Sequence, residues 1–172
     1  DHFKYDMVMG GRRQVGSTIK PFLYALAMQN GMTPCTTAPN IQRSYGNWTP
    51  RNGSRARYGQ QVPLRWGLQQ SNNWISAYLI SLLGPSQFVN ILHDFGLNNP
   101  DIDKNATPVL CLGPSELSVG EMCSAYTTFV NHGVRCAPLF VTRIEDSHGN
   151  IVAKFQPLMN EVISEESSFK ML

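Results

Sequence analysis

Arg12-Arg13-Gln14-Val15-Gly16-Ser17-Thr18-Ile19-Lys20-Pro21-Phe22 sets a serine and a lysine three positions apart, directly ahead of a proline. A proline is harmless only in the first turn of a helix, where N–H groups lack an intrahelical acceptor. Pro21 therefore marks a helix start and puts Ser17 at or near its N-cap. Residues i and i+3 share a helical face, so the Lys20 amine can reach the Ser17 hydroxyl. That pairs a nucleophile with a base at the helix end whose dipole favours an alkoxide or a tetrahedral oxyanion. Ile19, Phe22, Leu23 and Leu26 continue at helical spacing and Asn30-Gly31 supplies a stop, which predicts a buried helix behind the reactive turn.

Ser-x-x-Lys alone carries little information, and the chain holds a second copy at Ser167-Ser168-Phe169-Lys170. There the acidic pair Glu165-Glu166 holds Lys170 protonated, so that copy reads as a solvated helix face. Outward from the first copy, residues 32–62 are rich in Pro, Thr, Asn, Gly and Arg and read as a long irregular connection, with Trp48-Thr49-Pro50-Arg51-Asn52 as a loop anchor. Pro63 to Gln70 reads as a short helix and Trp74 to Leu83 as another. Ser71 and Asn73 then lie on the corner between them, where side chains can project into a cleft. Pro85 to Phe95 makes a helix closed by Gly96, and 97–109 reads as loop. Ser118-Val119-Gly120-Glu121 is a capping box that opens an amphipathic helix through Val130. Residues 139–144 and 151–155 flank Asp146-Ser147-His148-Gly149-Asn150 as a β-hairpin, and a short acidic helical segment follows.

The chain has 172 residues, 42% of them hydrophobic, which predicts one domain; the elements above make it α+β and mainly helical. A net charge of +2 with 15% charged residues argues against a nucleic-acid partner, and Arg51, Arg55 and Arg57 read as a local, solvated cluster. No apolar run approaches the ~18 residues of a membrane span, and no signal segment opens the chain. Beginning at Asp1 suggests a processed protein or an excised piece. Cys35, Cys111, Cys123 and Cys136 lack metal-ligand spacing, so neither metal nor cofactor is expected. Cys123 reads as a core thiol, and the even count permits disulfides without implying any. His2, His93, His132 and His148 are scattered and form no ligand or base pattern.

In this order, the pieces resemble the transpeptidase domain of the class A, bifunctional penicillin-binding proteins. Residues 13–22 match that family's Arg-Gln-Pro-Gly-Ser-x-Phe-Lys-Pro-Phe except at Val15 and Ile19. Residues 48–52 are similar to its Trp-x-Pro-x-Asn, and 62–73 to its Val-Thr-Leu-Arg-x-Ala-Leu-x-x-Ser-x-Asn. Residues 112–133 are similar to its Leu-Gly segment and the Leu-Glu-Met-x-x-Ala-Tyr-x-x-Phe-x-Asn-x-Gly that follows. The likeness covers nearly the whole chain, with Ser71 54 positions after Ser17.

The resemblance implies a DD-peptidase and serine β-lactamase-like fold, of which 1–172 is a single partial domain. Ser17 would be the acylated nucleophile, Lys20 its base, Ser71 a proton relay and Asn73 a positioner of Lys20 and of the substrate amide. It further implies peptidoglycan stem peptides as substrates, β-lactams as inhibitors, and a membrane-anchored parent facing the periplasm. The family's Lys-Thr-Gly motif is absent: none of the five lysines precedes Thr-Gly. A weak or inactive isolated segment is the expectation. The alternatives are an inactive scaffold or β-lactam sensor of the same fold, and a Ser–Lys protease or amidase.

Overall fold

The computed structural model describes residues 4–172; Asp1 and His2 lie outside the described residues. The Ser17 segment is a 3₁₀ turn, Gly16–Ile19, that runs into helix α1, Lys20–Gln29, with Pro21 at its second position. Ser17 therefore sits ahead of the α-helix rather than at its N-cap, which is Ile19. The tighter turn eclipses i and i+3, so Ser17 and Lys20 still share a face. Helix α1 is buried on nearly every side, from Lys20 and Phe22 through Met28. An all-round apolar helix belongs at the centre of a core, and Phe22 packs against Phe95, Tyr126 and Phe129 with ring centroids 4.8, 5.1 and 5.6 Å away.

Around α1 stand α2 (Leu64–Gln69), α3 (Asn73–Leu83) and α4 (Pro85–Asp94). They are followed by α5 (Pro100–Lys104), α6 (Val119–Val130) and α7 (Glu165–Met171). The region read as loop from 97 to 109 holds α5, because the Asn99 side chain caps the Asp101 N–H and Pro100 fits the first turn. The capping box of α6 is complete, with Ser118 Oγ accepting the Glu121 N–H and the Glu121 carboxylate accepting the Ser118 N–H.

Four antiparallel two-stranded ladders complete the architecture. Strand β1 (Arg12–Gln14) pairs with β4 (Glu116–Ser118), and β2 (Thr37–Pro39) with β3 (Gln61–Pro63) inside the region read as irregular. Strand β5 (Val134–Cys136) pairs with β8 (Met159–Glu161), and the expected hairpin is β6 (Arg143–Glu145) with β7 (Ile151–Lys154), carrying a bulge at Ile144/Glu145. Cys123, expected in the core, is exposed on α6, while Cys111 is fully buried, and all four cysteines are free thiols. The buried residues of α6 are Ala125, Thr128 and Phe129, and the helix meets α1 where Tyr126 and Phe129 pack on Phe22, which leaves Cys123 outside the core. No helix among the described residues is long and apolar enough to cross a membrane.

The Ser17 turn is strapped to the chain just before α6 and to α6 itself. Val15 N–H donates to Ser115 O at 3.2 Å, Gly16 N–H to Gly113 O at 3.0 Å, and Tyr126 Oη to Thr18 O at 2.7 Å. Gly113 has φ +67°, and a Cβ there would meet the Gly16 backbone. Gly113→Ala is expected to cost well above the ~1–2 kcal/mol of a left-handed non-glycine residue and to displace Ser17. Gly149→Ala, at φ +82° with open space around it, should cost only that penalty. Thermal unfolding of the two variants checks the difference.

Candidate active site

Lys20 is 1% exposed, yet its amine is fully engaged. Nζ donates to the Ser71 carbonyl at 2.6 Å, the Ser71 Oγ at 3.0 Å and the Asn73 Oδ1 at 2.7 Å. Three of the four residues selected from sequence thus meet at one atom. Ser17, the fourth, is exposed on the turn that Lys20 closes, its carbonyl accepting the Lys20 N–H. Among the described residues its Oγ makes no hydrogen bond to Lys20 or to any other group.

Burial lowers the Lys20 pKa from its ordinary value to about 8, and the nearby Cys111 acts in the opposite direction. Burial also pushes the Cys111 thiol up to about 12, so near neutrality it is uncharged and opposes burial weakly. The result is an amine whose pKa lies close to physiological pH.

The corner carrying Ser71 and Asn73 is held from outside. Ser71 adopts φ +49°, a conformation costly for a residue with a Cβ, and this points both its carbonyl and its hydroxyl at Lys20. Asn72 caps α3 by accepting the Trp74 and Ile75 N–H groups, and its Nδ2 donates to Asn40 Oδ1 at 2.9 Å in the interior. Asn40 Nδ2 in turn donates to the carbonyls of Ala56 and Arg57. Asn73 is gripped by the loop before it: its N–H donates to Asn52 Oδ1 and its Nδ2 to the Arg51 carbonyl, both at 2.7 Å. Fixing Nδ2 on Arg51 leaves Oδ1 facing Lys20. Sequence reasoning missed Asn40, Asn52 and Asn72. Asn72 had a local signal, a capping residue ahead of a helix, and Asn52 closes the stretch 48–52 that resembles the family's Trp-x-Pro-x-Asn.

Two depressions flank the site. A cleft of about 260 Å³ lies against Ser71 and Asn73, with Asn52, Ser54, Trp66 and Gln70 on its walls. A mostly apolar groove of about 390 Å³ runs along Val15, Thr18, Leu117, Met122 and Tyr126. The second Ser-x-x-Lys copy has no such setting: Lys170 pairs with Glu166 at 2.6 Å, and Ser167 bonds to Ser164. Among the described residues no three His, Cys, Asp or Glu side chains gather closely enough to hold a metal ion.

Residues 5–171 match the model of the penicillin binding protein transpeptidase domain. Penicillin-binding protein 1A of Vibrio cholerae is 32% identical over 162 residues, which cover 91% of this chain and 19% of that protein. Its counterpart in Neisseria lactamica is 31% identical over 154 residues, 86% of this chain and 19% of the relative. The crystal structure of penicillin-binding protein 1A from Haemophilus influenzae superposes with a TM-score of 0.82 at 27% identity, covering 97% of this chain and 30% of that one. Penicillin-binding protein A of M. tuberculosis, solved as an imipenem acyl-enzyme, shares the fold at 17% identity, with a TM-score of 0.79 over 93% of this chain and 42% of that one. The chain belongs to the penicillin-binding transpeptidase family, in agreement with the class A resemblance read from sequence. It spans about a fifth of the length of the curated relatives it matches.

Asn72→Ala removes a helix cap and orphans the buried Asn40 oxygen. Together these should cost about 2–4 kcal/mol, read as a lower urea midpoint. A change within about 0.5 kcal/mol would show that the interior amide pair contributes little.

Proposed function

We propose that these residues carry the acyl-transfer chemistry of a peptidoglycan D,D-transpeptidase, with residues 1–172 forming part of one transpeptidase domain. The observation that carries this reading is the convergence of Ser71 and Asn73 on the buried Lys20 amine, beside the turn that exposes Ser17. In the first step Ser17 Oγ attacks the carbonyl of the penultimate D-alanine of a stem peptide while neutral Lys20 accepts its proton. The C–N bond then breaks. Ser71, bonded to Lys20, relays the proton to the departing D-alanine amine, leaving a Ser17 ester. An amine from a neighbouring stem attacks that ester, its proton returns through Lys20, and the cross-link forms as Ser17 is released. Asn73 holds the Lys20 amine and has a second Nδ2 hydrogen for the substrate amide. A β-lactam would enter the first step and stop at the ester, the state in which a protein of the same fold has been solved. The setting is the outer face of the bacterial inner membrane, in a membrane-anchored parent.

In the full-length protein, a β-lactam should add its mass to the Ser17 peptide, and Ser17→Ala should abolish the adduct. Lys20→Ala should slow labelling by about 10²–10⁴-fold. Label on another residue, or undiminished label in Ser17→Ala, overturns the assignment, and cleavage of L-peptides would instead support a protease. The acylation rate constant should climb with pH to a midpoint at about 8 and flatten above, because only the deprotonated amine accepts the Ser17 proton. A flat profile from about pH 6 to about pH 9 contradicts Lys20 as base. Without a Lys-Thr-Gly strand, the isolated 172 residues should acylate at least 10²-fold more slowly than the parent, since one lost oxyanion donor costs roughly 10²–10³.

A further inference from the structure

The sequence segregates charge by sign. From Met7 to His93 there are eight lysines and arginines and no aspartate or glutamate. Three of those arginines, 51, 55 and 57, sit on the loop that forms one wall of the cleft beside Ser71 and Asn73. All three are exposed, as expected of a solvated cluster, and two of them lie over aromatic rings. The Arg57 guanidinium lies 5.5 Å from the ring centre of Trp66, itself a wall of the cleft, and Arg55 lies 5.9 Å from that of Tyr58. Tyr58 is fixed in turn by an edge-on contact with Trp74 at 5.2 Å. Arg57 also occupies φ +54°, a conformation held against its intrinsic preference. None of the three has a carboxylate partner among the described residues, whereas Arg12 and Arg143 do.

The polar groups on the cleft walls are unbalanced in the same sense. Asn52 Oδ1 is taken by the Asn73 N–H, which leaves the Asn52 amide hydrogens unspent. The Ser54 Oγ accepts the Ala56 N–H, which leaves its hydroxyl proton. The Ser71 Oγ accepts from Lys20. The Asn52, Ser54 and Ser71 oxygens are engaged inside the molecule while their hydrogens remain, Gln70 offers both a donor and an acceptor, and the unpaired cations stand on the loop that forms one wall. Such a surface favours an anion with oxygen acceptors.

We propose that this cleft is a carboxylate subsite. It takes a free carboxylate carried by the stem peptide away from the bond being cleaved, with Arg55 and Arg57 supplying charge and Asn52 and Ser54 supplying hydrogen bonds. The proposal rests on the acyl-transfer reading above. At about 260 Å³ and in contact with Ser71 and Asn73, the cleft suits a group tethered to the reacting peptide rather than a passing polymer.

The test uses the full-length protein and two thioester stem-peptide analogues, identical except that one side carboxylate is free in the first and amidated in the second. The native protein should acylate the free acid about tenfold faster, with the preference shrinking as salt rises. Arg55→Gln/Arg57→Gln should bring the ratio of the two rates close to one, and Arg55→Lys/Arg57→Lys should restore most of it. Equal rates in the native protein overturn the subsite, as does a Gln double variant that slows both analogues equally. β-Lactam labelling of native Ser17 separates the two levels: label without charge preference sinks the subsite alone, and no label sinks the acyl-transfer reading with it.

Discussion

The structure turns on one amine withdrawn from water and given three oxygens in return. A protonated Lys20 has three hydrogens for the Ser71 carbonyl, the Ser71 hydroxyl and Asn73 Oδ1, and satisfies all of them. A neutral Lys20 has two hydrogens and a lone pair. The carbonyl and the amide oxygen can only accept, so they keep the two hydrogens. The Ser71 hydroxyl contact is then the one given up when the proton leaves, because it alone lies opposite an oxygen that need not be an acceptor, and the lone pair is left open to a proton from another hydroxyl.

Holding that arrangement requires polar structure inside an apolar core. Ser71 is kept in a left-handed conformation by the Asn72 cap on one side and the α2 terminus on the other, where the Ser71 N–H bonds to the Leu68 carbonyl. The Asn40–Asn72 contact spans 32 residues and lies in the interior. Buried amides of this kind stabilise little on balance but are costly to leave half-made. They specify one position for the corner rather than adding much to its stability. The aromatic cluster of Phe22, Phe95, Tyr126 and Phe129 supplies the compensating apolar burial directly behind the Ser17 turn.

What the sequence disclosed and what it hid follow from range. Ser17, Lys20 and Pro21 are neighbours, so their shared helical face was legible from spacing, although the choice of a 3₁₀ turn over an α-helical N-cap was not. The corner at 71–73 was legible because polar residues interrupt two apolar helical runs, but nothing local says that it faces Lys20, 51 residues away. Asn40 and Asn52 lie in a stretch without periodicity, and their partners are set by tertiary packing alone. Strands of three residues, such as β1, β4, β5 and β8, are too short to show a two-residue alternation. Cys123 was misplaced because α6 carries apolar residues on more than one face, and the face that meets α1 is the one whose Tyr126 and Phe129 pack on Phe22.

The absence of acids from Met7 to His93 bears on the lysine as much as on the cleft. A carboxylate beside Lys20 would hold it protonated and cancel the effect of burial. The one titratable group that competes with burial is Cys111, and burial keeps that thiol neutral at any pH where Lys20 titrates. The neighbours of the amine are thus a carbonyl, a hydroxyl, an amide and a thiol, all of them dipoles and none an ion. Dipoles orient an amine without forbidding its deprotonation. An acidic residue at any of these positions would convert this titratable amine into a structural ion pair, the condition in which Lys170 and Glu166 are found.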